Sequence, residues 1–333
     1  MGTQGRTAAG IPALTDEIIA GRRLSRSDDL SFFADCSLAS VTEGADRLRK
    51  HFSGDYVDLC TIFAGRSGNC GENCRFCAQS ARNHTACEVY GLYEFDRILA
   101  EAQANEAEGV DRFAIVTSGR SPSQDDFEKI IQIYGKLHER LHISLCASLG
   151  FLSSGQFERL HAAGVRSYHC NIETSRRYFP SICTTHSFDD KLDNIRRAQA
   201  AGLSVCSGGI IGMGETMEDR IDMAAELSEL GIRSIPLNAL IAIPGTPLEA
   251  LPALSEEEIL RTVAMFRYMN PESSIRLGAG RKLLSENGRR AFAGGASATI
   301  TGNMLTTSGS TIRSDRDMLQ TLGRHQARQT GRP

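Results

Sequence analysis

Cys70-Gly-Glu-Asn-Cys74-Arg-Phe-Cys77 sets three thiols at C-x3-C-x2-C spacing, directly after a strand-like run and a turn carrying Gly65 and Gly68. Three thiolates on so short a loop can hold three irons of a cubane cluster. Such clusters ordinarily have four cysteine ligands, so a fourth iron would stay open to a small molecule. The rival chemistry is a zinc site. Zinc takes paired C-x2-C knuckles with a second pair or a Cys/His knuckle downstream, and the sequence has neither. The eight histidines show no H-E-x-x-H spacing.

These three belong to a set of ten cysteines in 333 residues that contain no tryptophan. The opening Met-Gly-Thr-Gln-Gly-Arg has no apolar run of signal-peptide length, and no apolar stretch long enough to span a bilayer follows. Gly2 invites a myristoylation reading, but Arg6 stands where that motif wants Ser or Thr. The expectation is a cytoplasmic chain with reduced thiols, in which abundant cysteine means metal binding or catalysis before disulfides. Hydrophobic residues at 41% and charged residues at 23% exclude wholesale disorder and collagen-like repeats. A formal net charge of −3 gives no electrostatic case for nucleic acid or an anionic membrane as a partner.

Short β-branched runs must position the thiols. Strands are expected over 56–63, 112–117, 143–147, 167–172, 204–210, 234–241, 274–277 and 298–301, with helices near 94–108, 125–140, 153–163, 188–200, 217–230, 255–269 and 285–293. Gly109, Gly164, Gly202 and Gly231 each follow a helical pattern, where a left-handed residue is expected. Eight strands alternating with helices over about 250 residues predict a closed (β/α)8 barrel of the TIM type, with an open doubly wound sheet as the alternative. The domain reading is an N-terminal tail and helices over 1–53, the barrel with its C-terminal extension over 54–323, and a disordered tail over 324–333. Alternation within the strands turns Ser144, Cys146 and Ser148, then Ser204, Cys206 and Gly208, inward. An ordinary barrel fills its interior with branched apolar side chains. Cys, Ser and Gly there, with Asn238 and Arg276, suggest an enclosed ligand.

The cysteine motif, with Phe76 before its last thiol, resembles the radical S-adenosylmethionine enzymes. The resemblance implies a [4Fe–4S] cluster whose open iron is chelated by S-adenosylmethionine, which is cleaved to a 5′-deoxyadenosyl radical. Further stretches are similar to the biotin synthase family: Asn73–Ser80, Tyr168–Ser175, Val205–Thr216, Gly245–Leu248, Ile275–Arg281 and Gly302–Thr307. Six motifs in order cover roughly residues 50–323.

What the resemblance implies is specific. Cys70, Cys74 and Cys77 would hold the [4Fe–4S] cluster. Phe76, Asn171, Glu173, Gly212, Gly214 and Glu215 would contact S-adenosylmethionine, with Asn171 and Glu173 at its ribose. Arg66, Asn171, Asn238, Thr306 and Thr307 would bind dethiobiotin, the last two at its carboxylate. Cys146, Cys206 and Arg276 would belong to a sacrificial second iron–sulfur cluster, [2Fe–2S] by family, that supplies sulfur between C6 and C9 of dethiobiotin. A reductant such as flavodoxin or ferredoxin and a homodimer are also implied.

One position departs from the family pattern. Ala114 stands where a further cluster cysteine is expected, and alanine cannot bind iron. Cys170 stands where relatives have His, and Cys183 where they have an aliphatic residue. The expectation is therefore an altered second cluster on Cys146, Cys170 and Cys206, with Cys183 or Arg276 contributing and a four-iron cluster as an alternative. Cys36 and Cys60 read as core packing, Cys87 stays unassigned, and strand phase turns His169 outward. Other members of the subgroup, of the hydrogenase-maturation or methylornithine-synthase type, are the functional alternative. A non-catalytic iron–sulfur protein is a further one.

Overall fold

The computed structural model describes residues 10–305 and 309–326. The N-terminal helices are α1 (Gly10–Ile19), α2 (Phe32–Asp35) and α3 (Leu38–Ser53). Strands and helices then alternate: β1 (Tyr56–Arg66), α4 (Phe95–Ala107), β2 (Arg112–Thr117), α5 (Gln124–Arg140), β3 (Ser144–Ser148), α6 (Ser154–Ala162), β4 (Val165–His169), α7 (Phe188–Ala200). The series continues through β5 (Ser204–Cys206), β6 (Gly209–Ile211), α8 (Met217–Glu229), β7 (Ser234–Ala239), α9 (Glu256–Met269) and β8 (Ser274–Leu277). It ends with α10 (Arg289–Phe292), β9 (Ala298–Ile300), α11 (Ile312–Thr321) and β10 (His325–Gln326).

All neighbouring strands are parallel, and β9 pairs with β1, which closes the sheet. β5 and β6 form one barrel strand broken at Ser207 and Gly208, so the barrel has the eight staves predicted from the alternation. Strand alternation sends Phe113, Ile115, Leu145 and Ala147 outward into the core under the helices. Ala114 and Cys146, buried as well, take the other face. The helix starts are fixed locally. Capping boxes at Ser153/Gln156, Ser187/Asp190, Thr216/Asp219 and Ser255/Glu258 satisfy backbone N–H groups that a first turn leaves unpaired. Gly109, Gly164, Gly202 and Gly231 all adopt positive φ, as their positions after helices predict.

Extensions close the assembly at both ends of the chain. Tyr268 of α9 meets Thr15 of α1 through a 2.7 Å hydroxyl hydrogen bond and packs edge-on against Phe33. The segment after β9 is tied to the barrel by Arg281, whose guanidinium makes two hydrogen bonds, 2.6 and 2.9 Å, to the buried carboxylate of Asp315 in α11. Composition suggests a tail from Arg324, but the structure holds the first part of it. Arg324 is buried against Asp55 and Asp46 at 2.6 and 2.9 Å, and His325–Gln326 pair with the start of β1. Among the described residues no helix is long and apolar enough to cross a membrane.

Candidate active site

The loop leaving β1 carries Cys70, Cys74 and Cys77 as free thiols. Backbone hydrogen bonds shape it: Cys70 N–H donates to the Gln79 carbonyl at 3.0 Å and Ala81 N–H to the Cys70 carbonyl at 2.8 Å. The Asn83 amide closes the turn by donating to the carbonyls of Cys74 and Cys77 at 3.2 and 2.8 Å. Burial pushes the Cys77 thiol up to about 11, and the charges of Cys70 and Glu173 add to the shift. A bound cation would reverse that shift, because metal ligation requires the thiolate.

Cys74 has a neighbour that the sequence did not reveal. Its Sγ lies 3.7 Å from the Sγ of Cys183, and Cys183 Sγ lies 3.4 Å from His186 Nδ1. The hydrogen bond between the two thiols, with burial, drives Cys74 up. The same bond drives Cys183 down to about 3. Behind them Glu72 accepts hydrogen bonds from His186 and, at 2.6 Å, from Thr185.

Above this loop the broken strand forms a cradle. Glu173 adopts φ 71°, a left-handed conformation that is rare outside glycine and recurs at functional sites. Its backbone bridges to Gly209, accepting from Ile210 N–H at 2.9 Å and donating to the Gly208 carbonyl at 3.1 Å. A Cβ on Gly209 would come within 2.3 Å of the Glu173 carbonyl oxygen, and one on Gly208 within 1.9 Å of the Pro236 carbonyl oxygen. Only glycine permits this approach. Glu173 Oε2 is buried without a hydrogen-bond partner, a state native proteins rarely leave uncompensated. Burial raises its pKa, against the opposing charge of Lys191. Further along, Glu215 braces the glycine turn, accepting from Gly212 N–H at 2.8 Å and Met213 N–H at 2.7 Å.

Inside the barrel lies a cavity of about 250 Å³, bordered by Cys60, His169, Cys170, Asn171, Glu173, Lys191, Cys206, Asn238 and Arg276. Cys60 and Cys206, which border it, and Cys146 are all buried, from β1, β5 and β3. Burial is the main cause raising each thiol; Arg276 opposes it in all three, and each of Cys60 and Cys146 feels the charge of Cys206. Asp58 joins the flanking cations: Arg276 Nη2 reaches it at 2.5 Å and Arg112 Nε at 2.7 Å. Burial raises the Asp58 carboxyl, yet the two guanidiniums overcome it and hold it at about 2.

The chain matches the radical S-adenosylmethionine superfamily over residues 66–227 and the biotin and thiamin synthesis associated domain over 236–325. It is 55% identical to the biotin synthase of Clostridium beijerinckii, over 93% of this chain and 98% of that protein. With the biotin synthase of Alkaliphilus metalliredigens the identity is 52%, over 95% and 99% of the two chains. The chain belongs to the biotin synthase family. Among solved structures, methylornithine synthase superposes with a TM-score of 0.83 at 20% identity, covering 95% of this chain and 98% of that one. A maturase of the [FeFe]-hydrogenase gives 0.77 at 16%, covering 96% and 75%. At those identities the likeness is one of fold.

Biotin synthases of this superfamily carry a [4Fe–4S] cluster and S-adenosylmethionine, and the residues here fit both. Three thiols sit on one loop, Glu173 offers an unpartnered carboxylate oxygen, and Gly208 and Gly209 leave a backbone cradle. Phe76 packs against the small apolar cluster of Ile182, Met213, Leu240 and Leu248. Asn171 accepts from Gly208 N–H at 3.2 Å, and Asn238 is held by Ala279 N–H at 2.9 Å and the Gly209 carbonyl at 3.1 Å.

Other residues fall elsewhere. Arg66 ion-pairs with Asp126 at 3.1 Å in a rim groove and does not border the barrel cavity. Cys183 stands beside Cys74, away from Cys146 and Cys206, because the loop after β4 folds back over the cysteine loop. Cys170 borders the cavity, but its polar partner is Asn194 at 3.5 Å and its charge acts on Lys191. Thr306 and Thr307 lie outside the described residues. Cys60, read as a packing residue, is the thiol that joins Cys146 and Cys206; its signal was an inward phase on β1, next to the strand of Ala114. His169, expected outward, borders the cavity, because β4 keeps its two-residue alternation in the opposite phase: His169 lies in register with the inward Cys206, and Tyr168 with the outward Ala147. Lys191, on the first turn of α7, was also missed.

Proposed function

We propose that this biotin synthase inserts sulfur into dethiobiotin inside the barrel, with the cluster loop at one end of the cavity and the buried thiols at the other. One observation carries the reading. Glu173 and Lys191, whose charges reach Cys77 and Cys74 respectively, border the same cavity as Cys60, Cys206 and Arg276. The cluster with S-adenosylmethionine supplies a carbon-centred radical able to take hydrogen from unactivated C–H bonds.

The chain's own residues then divide the work. Cys70, Cys74 and Cys77 hold the [4Fe–4S] cluster. Glu173 and Asn171 receive the ribose hydroxyls of S-adenosylmethionine, Glu173 through the carboxylate oxygen left free. Lys191, a cation between Glu173 and Cys74, complements the anionic carboxylate of the same molecule. Asn238 and Asn171 present amide groups to the ureido ring of dethiobiotin, the polar end of an otherwise aliphatic substrate. Ile62, Val116 and Ile300 supply apolar wall and help exclude water.

The second cluster falls to Cys60, Cys146 and Cys206, with Arg276 beside them. The guanidinium of Arg276 is held charged by Asp58 despite its burial. Two cations around one carboxylate leave a net positive environment, which suits thiolates and sulfide. Anaerobic reconstitution followed by incubation with dethiobiotin, S-adenosylmethionine and a reductant tests the reading. Biotin or 9-mercaptodethiobiotin supports it; cleavage of S-adenosylmethionine with neither product contradicts it.

A further inference from the structure

We infer that Cys183 is a positioning residue for the radical cluster: its S–H donates a hydrogen bond to the ligand sulfur of Cys74 and raises the reduction potential of the [4Fe–4S] centre. The inference rests on the ligand role of Cys70, Cys74 and Cys77 proposed above. Its geometry is independent of that proposal.

The direction of the bond follows from the charge that iron binding leaves on Cys74 and from how the other acceptors around Cys183 are occupied. Its Sγ lies 3.7 Å from Cys74 Sγ and 3.3 Å from Asn73 Oδ1. Asn73 Oδ1 already accepts from Thr184 N–H at 2.9 Å and Thr185 N–H at 3.2 Å, which fills the lone pairs of an amide oxygen. Thr185 Oγ1 donates to Glu72 at 2.6 Å and accepts from Asn73 N–H at 3.1 Å, and His186 Nδ1 also faces Glu72. Without metal this hydrogen bond runs from Cys74 to Cys183; iron binding takes the Cys74 proton, so that sulfur can then only accept and Cys183 keeps its own hydrogen. Of the acceptors within reach, the Cys74 thiolate is the charged one, and it draws the Cys183 hydrogen ahead of Asn73 Oδ1, which already receives two N–H groups and faces the Thr185 hydroxyl. His186 and Thr185 hold the donor in place, so little freedom is lost when the bond forms.

Cys74, Cys183 and His186 also place three ligand atoms within 4.8 Å of one another, close enough for a metal ion of their own. Cys74 cannot serve that ion and the cluster together, and the loop of Cys70, Cys74 and Cys77 belongs to the superfamily match. The cluster takes the shared ligand.

Hydrogen bonds to ligand sulfurs are among the levers that set cluster potentials. A donor stabilises the more negative, reduced state, so its removal moves the midpoint down. The test is an EPR-monitored redox titration of the reconstituted full chain, following the signal that changes when S-adenosylmethionine is added. Cys183→Ala is expected to shift that midpoint to a more negative potential with the cluster retained, and Cys183→Ser, which keeps a donor, to bring it back toward the wild-type value. Where the alanine variant fails to fold, Cys183→Val fills the volume without a donor and carries the same comparison. An unchanged midpoint in the donor-free variants overturns the inference, as does a serine variant displaced as far as alanine. So does one equivalent of zinc bound through Cys183 in wild-type protein. Failure of wild-type protein to take up any cluster would instead sink the ligand role of Cys70, Cys74 and Cys77.

Discussion

Ala114 pairs in register with Cys146, and the thiol that accompanies Cys146 comes from Cys60, on the opposite flank of the same strand. Cys60 pairs with Arg112, two residues before Ala114, so it faces the interior one pleat deeper than a cysteine at 114 would. On the proposed assignment, β1 supplies the ligand that β2 lacks. Cys60→Ala should lose the second cluster and keep the first. Iron and sulfide counts with Mössbauer spectra check this, and Cys170→Ala should retain both clusters. A Cys60→Ala protein with full iron content would contradict the assignment.

Lys191 gives a binding prediction. Against burial, the charges of Cys170, Glu173, Cys74 and Cys183 raise its pKa and keep it protonated. A hydrogen bond to a charged group contributes about 1.5–3 kcal/mol. Lys191→Met should therefore weaken S-adenosylmethionine binding by about tenfold or more, with cluster content unchanged and Lys191→Arg largely competent. Anaerobic calorimetry on reconstituted protein reads the difference.

Gly209 tests the cradle. An added Cβ would press on the Glu173 carbonyl oxygen at 2.3 Å, and Met223 Sδ stands at 2.4 Å. The bridge that holds Glu173 in its left-handed conformation would have to open, a strained arrangement involving about 1–3 kcal/mol. Gly209→Ala should raise the dissociation constant for S-adenosylmethionine about tenfold while iron content stays constant. An affinity equal to wild type would remove the cradle from the account.

Asp219 provides the pH dependence. Its carboxylate caps α8 and accepts hydrogen bonds from Ser175 at 2.5 Å and Thr216 N–H at 2.9 Å. Burial raises its pKa, but these hydrogen bonds and Arg177 outweigh burial and leave it below the ordinary value. A lowered folded-state pKa gives stability that is present above the unfolded value of about 3.9 and is lost as pH falls through the folded value. Asp219→Asn should destabilise the protein at neutral pH by about 1–2 kcal/mol, a typical cap effect. Its acid unfolding should then show a shallower loss below about pH 4 than wild type. Chemical unfolding at several pH values decides.

The barrel was readable because its eight strands are short β-branched runs separated by capped helices, and Val57, Phe113, Leu145 and Val205 keep a two-residue alternation toward the helices. Cys70, Cys74 and Cys77 were readable because the loop is local. Cys183, His186 and Glu72 were not: two loops far apart in sequence fold onto one another, and no period records that. Lys191 looked like one more charge on an amphipathic helix until α7 turned its first turn toward the cavity. His169 misled because the phase of β4 is one residue from the one expected: its register sets Ser167 and His169 beside the inward Cys146 and Cys206.

The most direct measurement joins product to cluster. Reconstituted protein with its second cluster labelled with ³⁴S should be incubated anaerobically with dethiobiotin, S-adenosylmethionine and a reductant, then analysed by mass spectrometry. The account predicts biotin carrying the label, with loss of the Mössbauer signal that Cys60→Ala also lacks. Formation of 5′-deoxyadenosine with no biotin, or of biotin without the label, would contradict it.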